Sequence, residues 1–222
     1  MLDFSFQTAL NINCHSNYLH KILAENYSSK IIDTDVSISE NLDYPENSMD
    51  LVICCFGIHW INDLPNFLTQ INKILKPEGI FIANFVGANS LKNLRYKLTE
   101  LESTLNYPHS PHISPFIHFH DTAPLLQHAG FKEIIADFEI IELEYQTPLS
   151  LMKAIKDIGE SNNLQKAVNY ALSKKMLKML ELEPAPFHDK VTLISLIASK
   201  SKNSFKIRQE DEAYNCERES IT

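Results

Sequence analysis

The sequence predicts a single α/β domain, built on a largely parallel β-sheet with helices on both faces. Residues 51–56 form a continuous apolar run that is too short to cross a membrane and has the pattern of a central, fully buried strand. A polar and aromatic turn, a helix over 64–75, a Pro-Gly turn and an apolar strand over 80–86 follow it. This order is a βαβ unit. Because ligands of open α/β sheets bind beyond the carboxyl ends of strands, we expect the site just after Phe56.

Shorter elements precede the central strand. Residues 8–12 form an apolar strand, and Ser16 or Asn17 can cap a helix over 18–26. A second strand, over 30–35, ends in acids and is followed by a polar stretch.

The second half of the chain alternates helices and strands around a loop. Ser90 can cap a helix to about residue 105, and Asp121 can cap one that ends at Gly130. The remaining elements are a strand over 131–143, helices over 148–158 and 164–182, and a last strand over 191–198. We assign residues 1–199 to one domain, with an inserted helix and lid loop at about 89–120, and expect the charged tail, 200–222, to be disordered.

Composition limits the possible functions. The formal net charge of −8 argues against a broad nucleic-acid-binding surface. The four cysteines lack metal-ligand spacing, which favours a reduced compartment. The sequence has no recognisable signal peptide and no apolar run of membrane-spanning length. We therefore expect a cytoplasmic protein, or one of the mitochondrial matrix if the source is eukaryotic.

Two segments resemble class I methyltransferases that use S-adenosylmethionine (SAM). Residues 44–52, YPENSMDLV, resemble the segment before the fourth strand of that superfamily, and residues 75–79, LKPEG, resemble its LKPGG turn. The resemblance implies a Rossmann-like sheet in which the last strand is antiparallel and lies between two others. It also implies SAM as the cofactor.

A narrower resemblance involves four short blocks. Residues 58–65, IHWINDLP, are similar to the LHWVNDLP stretch of a family that includes a mitochondrial complex I assembly factor and the malonyl-carrier-protein O-methyltransferase of biotin synthesis. Further blocks that match the assembly factor are 89–95, 110–116 and 158–162. The resemblance implies a methyl acceptor, or a protein partner such as a respiratory complex subunit.

The sequence departs from this family at the cofactor turn, which the family writes roughly as LDLGCGxGYL. Here residues 10–19 read LNINCHSNYL, so Asn13, His15 and Asn17 replace three glycines and Asn11 replaces the acid. Asn tolerates left-handed φ angles, whereas His15 fills space that a glycine leaves open. Two interpretations stay open for Asn11, Asn13 and His15: a distorted cofactor loop, or a surface turn that has lost its ligand.

A second departure is the short stretch before the central strand. We expect the sheet to lack one strand and one helix near residues 35–48. Asp33 or Asp35 is then either the carboxylate that binds the cofactor ribose or a solvated turn acid. The family's amino-terminal helical segment is also missing from the sequence.

Candidate site residues follow the central strand. Cys55 and Phe56 are expected to line the cofactor, and His59 and Trp60 to face the acceptor, with His59 as a general base. Simple packing is the alternative for the His-Trp pair, and Asp63 is expected to be a helix cap.

Four histidines stand in the predicted lid: His109, His112, His118 and His120. Metal binding is one interpretation, but the chain offers no strong metal motif. A mobile lid on the substrate side is the interpretation we favour, and we predict no metal.

The sequence thus predicts a SAM-dependent transfer of a methyl group to a small-molecule or protein-borne acceptor, achieved mainly by alignment. The alternative is a non-catalytic scaffold or complex I assembly factor, related to a protein-arginine hydroxylase, that has lost normal SAM binding.

Overall fold

The computed structural model describes residues 6–12, 17–35, 40–109, 112–113, 116–159 and 172–202. Within this part of the chain there are six strands, six α-helices and one short 3-10 turn. In chain order they are β1 (Phe6–Ile12), α1 (Asn17–Asn26), β2 (Ser28–Thr34), β3 (Met49–Cys55), the 3-10 turn (Ile58–Trp60), α2 (Leu64–Ile74), β4 (Leu75–Val86), α3 (Lys92–Thr104), α4 (Phe119–His128), β5 (Glu133–Tyr145), α5 (Pro148–Asp157), α6 (Lys174–Glu181) and β6 (Phe187–Ser199).

All six strands belong to one sheet, in the order β2-β1-β3-β4-β6-β5. Strands β2, β1, β3 and β4 are mutually parallel. The last strand, β6, is antiparallel to both of its neighbours, β4 and β5. The predicted α/β class is therefore confirmed, and so is the antiparallel last strand between two others.

The connection between β2 and β3 is short, and the described sheet ends at β2 on this side. Strand β2 pairs directly with β1 and is itself an edge strand. Residues 40–48 contain no helix or strand, which agrees with the prediction for the described part of 35–48, and residues 36–39 lie outside the described ranges. Asp33 therefore lies on the strand next to β1, which the sequence alone left undecided.

Apolar side chains pack on both faces of the sheet. On one face Phe67 and Ile71 of α2 and Leu126 of α4 belong to a buried cluster with Val52 and Phe81. On the other face Leu23 of α1 packs with strand residues that include Ala9 and Ile53. Full burial of each such large side chain contributes about 1.5–3 kcal/mol, so these helices are held mainly by their apolar faces.

A third cluster joins α3, α5 and α6 beside the far end of β5 and β6. Its buried members include Leu98, Leu151 and Leu180.

Strand β4 begins earlier than the sequence indicates. We expected a Pro-Gly turn at 76–79, but these residues lie inside β4, because the register moves from Met49 opposite Leu75 to Leu51 opposite Ile80. The extra residues form a bulge. A Cβ atom on Gly79 would come within 2.9 Å of Leu75 Cδ2 and 3.0 Å of the Lys76 carbonyl oxygen, so any larger residue would require both neighbours to shift.

Two predicted helix caps are wrong. The Ser90 hydroxyl donates to the Gly87 carbonyl at 2.7 Å, and the α3 backbone amide of Leu94 instead donates to Asp189 of β6 at 2.8 Å. Helix α4 begins after His118, so Asp121 lies within its first turn. Gly130, with φ of 100°, ends that helix as predicted.

Strand β5 runs from Glu133 to Tyr145, so each of its ends lies two residues later in the chain than predicted. Strand β6 begins at Phe187, four residues before the predicted start. Of the predicted helix over 164–182, residues 164–171 lie outside the described residues, and the described part is helical only in α6, which begins after Ser173. The tail from 203 onward also lies outside them.

Candidate functional site

The order of the strands places a crevice between β1 and β3. The chain passes from β1 to β2 on one side, and then crosses to β3 on the other side of β1. Where the direction of strand order reverses, the two connections separate and leave space above the carboxyl ends of the strands. The residues at those ends are therefore the candidate site.

Asn11 and Asp33 form the polar centre of this edge. They are opposite one another in the β1–β2 register, and the buried Asn11 amide Nδ2 donates to Asp33 Oδ1 at 2.8 Å. Asp33 Oδ2 lies 2.9 Å from His20 Nδ1 of α1. The Asp33 side chain is nevertheless 55% exposed. A carboxylate has about four lone-pair positions, so it can accept further hydrogen bonds from a ligand.

The other predicted residues of the cofactor turn and of the end of β2 are Asp35, Asn13 and His15. Asp35 follows the end of β2 and is exposed. Asn13 and His15 lie outside the described residues, so their role stays a prediction.

Phe56 stands at the end of β3 in a strained conformation. Its φ of 56° lies in the left-handed region, which a bulky side chain rarely occupies, and its ring is exposed. Its backbone amide donates to the Asn84 carbonyl oxygen at 2.8 Å, and the half-buried Cys55 precedes it. Strain of this kind often occurs at functional sites, which agrees with the predicted cofactor role of Phe56.

His59 and Trp60 lie in the 3-10 turn that follows. The His59 ring is buried, with its centroid 4.7 Å from the Trp60 ring and 5.8 Å from the Phe116 ring. Trp60 is half-buried. Since Phe116 belongs to the predicted lid segment, the structure brings that segment into contact with the turn. The catalytic role of His59 and Trp60 stays a prediction.

Glu40 anchors this turn, which sequence reasoning did not foresee. Its carboxylate accepts hydrogen bonds from both the backbone and side-chain amides of Asn62, each at 2.7 Å, and from the Asp63 backbone at 3.0 Å. Asp63 in turn accepts from the Asn66 amide at 3.3 Å, which confirms its predicted cap of α2. Acidic residues are common in polar connections, so the sequence around Glu40 gave no reason to single it out.

The four histidines of the lid segment form two separate pairs and do not surround a common point. His112 Nε2 and His109 Nδ1 lie 2.6 Å and 3.2 Å from the carboxylate of the buried Glu102. The rings of His118 and His120 stack on each other at 5.1 Å. Among the described residues, no group of three His, Cys, Asp or Glu side chains is arranged to hold a metal ion.

Across the described ranges, the helices are all too short or too polar to cross a bilayer.

Comparison with known proteins gives a consistent result. The methyltransferase domain family matches residues 5–83. The Rickettsia prowazekii protein named "Putative methyltransferase RP459" is 46% identical over 224 residues, which cover 94% of this chain and 99% of that protein. Rat mitochondrial arginine-hydroxylase NDUFAF5 is 35% identical over 176 residues, which cover 71% of this chain and 51% of the relative. This chain thus spans about half the length of the rat protein.

Solved structures agree on the fold. The YcgJ protein of Bacillus subtilis superposes with a TM-score of 0.58, covering 91% of this chain and 95% of that one, at 14% identity. At such low identity the likeness concerns the fold alone.

Proposed function

Because this chain belongs to the family of class I methyltransferase domains, we propose that it transfers a methyl group from SAM to a small-molecule or protein-borne acceptor. The observation that carries the proposal is the Asn11–Asp33 pair, which presents an exposed carboxylate at the strand edge where ligands of this fold class bind.

The residues present fit the cofactor. We assign Asp33 to the ribose hydroxyls, because its carboxylate is accessible and still has acceptor positions beside those used by Asn11 and His20. The exposed Phe56 ring offers an apolar surface for the adenine. When bound, SAM supplies an already activated methyl group on a sulfonium.

The contribution of the protein to this reaction is mainly alignment. Asn11 orients the Asp33 carboxylate without adding charge, and Glu40 fixes the turn that carries His59 and Trp60. Positioning of this kind lowers the barrier by removing the entropic cost of bringing two reactants together. We assign Trp60 to the acceptor side and His59 to the removal of a proton from the acceptor.

A non-catalytic scaffold is the second candidate, and one observation favours it. Both oxygens of Asp33 already have partners within the protein, and position 11 holds a neutral amide instead of the family's acid. A scaffold of this type would bind a protein partner, such as a respiratory complex subunit, without the cofactor.

Isothermal titration calorimetry with SAM and S-adenosylhomocysteine separates the two candidates. We expect micromolar affinity for the natural chain and a loss of about tenfold or more in Asp33→Asn, equal to about 1.4 kcal/mol. Asp157→Asn, an exposed acid at the end of α5, is the matched control and should leave the affinity unchanged. No heat at millimolar ligand would reject the methyltransferase and favour the scaffold.

A further inference from the structure

One row of side chains crosses the whole sheet on the face that carries the Asn11–Asp33 pair. In register, from β2 to β5, its members are Asp33, Asn11, Ile53, Ile82, Ile197 and Ile135. The row is polar at the candidate site and consists of isoleucines across the next four strands.

The isoleucines become more exposed with distance from α1. Ile53, which packs in the cluster around Leu23 of α1, is 5% exposed, whereas Ile197 is 37% and Ile135 is 54% exposed. Large apolar side chains grouped at the surface in this way are typical of interaction sites.

Negative charge flanks the exposed part of the row. Strand β5 has five acidic residues and no basic one. Side chains two residues apart share a face, so Glu133, Asp137 and Glu139 lie on the same face as Ile135. The ion pair between Lys190 and Glu142, at 2.7 Å, lies on the opposite face. This face therefore combines apolar and acidic groups.

The width of this part of the row matches one helix. The half-buried Ile82 and the exposed Ile197 and Ile135 lie on three neighbouring strands, which span about 10 Å. An α-helix with its side chains is about 10–12 Å across.

We propose that this face, defined by Ile82, Ile197 and Ile135, binds an amphipathic helix of a partner protein whose apolar stripe is flanked by lysine or arginine. A second copy of the chain fits poorly, because the acids of β5 would then face one another.

The proposed surface and the candidate site share one face of the sheet. Four strand spacings, about 19 Å, separate β1 from β5. A helix bound over β4, β6 and β5 would thus lie beside the Asn11–Asp33 pair without covering it. The proposal does not depend on methyl transfer.

The test uses two synthetic 18-residue peptides with leucine at helical spacing, one with lysine and one with glutamate at the remaining positions. Fluorescence anisotropy measures their binding to the full chain. We expect the lysine peptide alone to bind, and Ile135→Arg to weaken it by about tenfold or more. Ile140→Arg is the matched control, because Ile140 is 55% exposed on the opposite face of the same strand.

Several outcomes would overturn the proposal. These are equal binding of both peptides, no binding of either, or the same loss in Ile140→Arg as in Ile135→Arg. A dimer in light scattering that Ile135→Arg dissociates would assign the face to a second copy. Stronger peptide binding after removal of residues 203–222 would assign it to the chain's own terminus. Calorimetry of SAM binding to Ile135→Arg distinguishes loss of the helix-binding surface from loss of the proposed function, because the affinity for SAM should not change in this variant.

Discussion

The side chain of Asn11 donates a hydrogen bond to Asp33 across the first two strands of the sheet, with 2.8 Å between Nδ2 and Oδ1. Asn11 is buried, whereas Asp33 reaches solvent. A neutral amide therefore holds an accessible carboxylate in place, at the position where the resemblance to the family's turn implies an acid.

Replacing this amide by the family's acid should destabilise the fold. In Asn11→Asp a hydrogen bond is lost and two carboxylates meet, so we expect the free energy of unfolding to fall by about 2 kcal/mol near neutral pH. Urea denaturation near neutral pH measures the loss, and Gln7→Glu, exposed on the same strand, is the control. Equal stability of Asn11→Asp and the natural chain would contradict this account.

Glu40 should govern the turn that contains His59 and Trp60. Glu40→Ala removes acceptors for three donor groups of Asn62 and Asp63, and we expect a stability loss of about 1–3 kcal/mol. Since the chain has one tryptophan, the emission of Trp60 reports on the turn directly and should shift in the variant. Glu46→Ala, an exposed acid in the same connection, should leave both readouts unchanged.

Asp189 should be required at the start of α3. It is buried on β6 and accepts from the Leu94 amide at 2.8 Å, as a helix cap from a distant part of the chain. Asp189→Ala should lower the free energy of unfolding by about 1–2 kcal/mol. Asp189→Asn retains an acceptor and should lose less. Chemical denaturation of both variants measures the two losses of stability, and identical losses would argue against a capping role for Asp189.

Lys97 should stabilise the protein only below strongly alkaline pH. Its Nζ lies 2.7 Å from Glu183 and 2.9 Å from Glu100, and the hydrogen bond to Glu183 raises the pKa of Lys97 above its ordinary 10.5. Because the folded-state pKa is the higher one, this stabilisation is complete below pH 10.5 and is lost as the pH rises through the folded-state value.

We therefore expect Lys97→Met to cost up to about 1 kcal/mol near neutral pH and to match the natural chain once Lys97 is deprotonated in both states. Thermal melts across the alkaline range test this. Lys21→Met, whose exposed partner Glu25 is 3.8 Å away, should show little change at any pH. A pH-independent cost in Lys97→Met would indicate lost packing instead of lost charge.

Local patterns predicted most of the secondary structure. The run over 51–56 and the acid at Asp63 carry their signals within a few residues, and the structure confirms both a buried strand and a helix cap there. The cap of α3 could not be predicted, because Asp189 is about a hundred residues from the amides it binds. The strand at Leu75 was hidden by Pro77 and Gly79, which usually mark a turn and here form a bulge.

The candidate site was predicted as a set of residues but not as an arrangement. Asn11 and Asp33 were each singled out, but their hydrogen bond depends on which strand lies beside β1. The contacts of Glu40 with Asn62 and Asp63 arise only when segments more than twenty residues apart fold together, and Glu102 meets His112 only because the irregular chain after α3 turns back toward the helix. No spacing in the sequence encodes them.

The edge position of β2 has a consequence for the kinetics of local opening. Strand β2 is hydrogen-bonded to β1 on one side only, whereas β3 has a strand on each side. Amide hydrogens along β2 should therefore exchange with solvent through small local openings, and those of β3 only through larger ones. The carboxylate of Asp33 thus lies on one of the two edge strands, β5 being the other, and a ligand bound to it should slow amide exchange along β2 while leaving exchange along β5 unchanged.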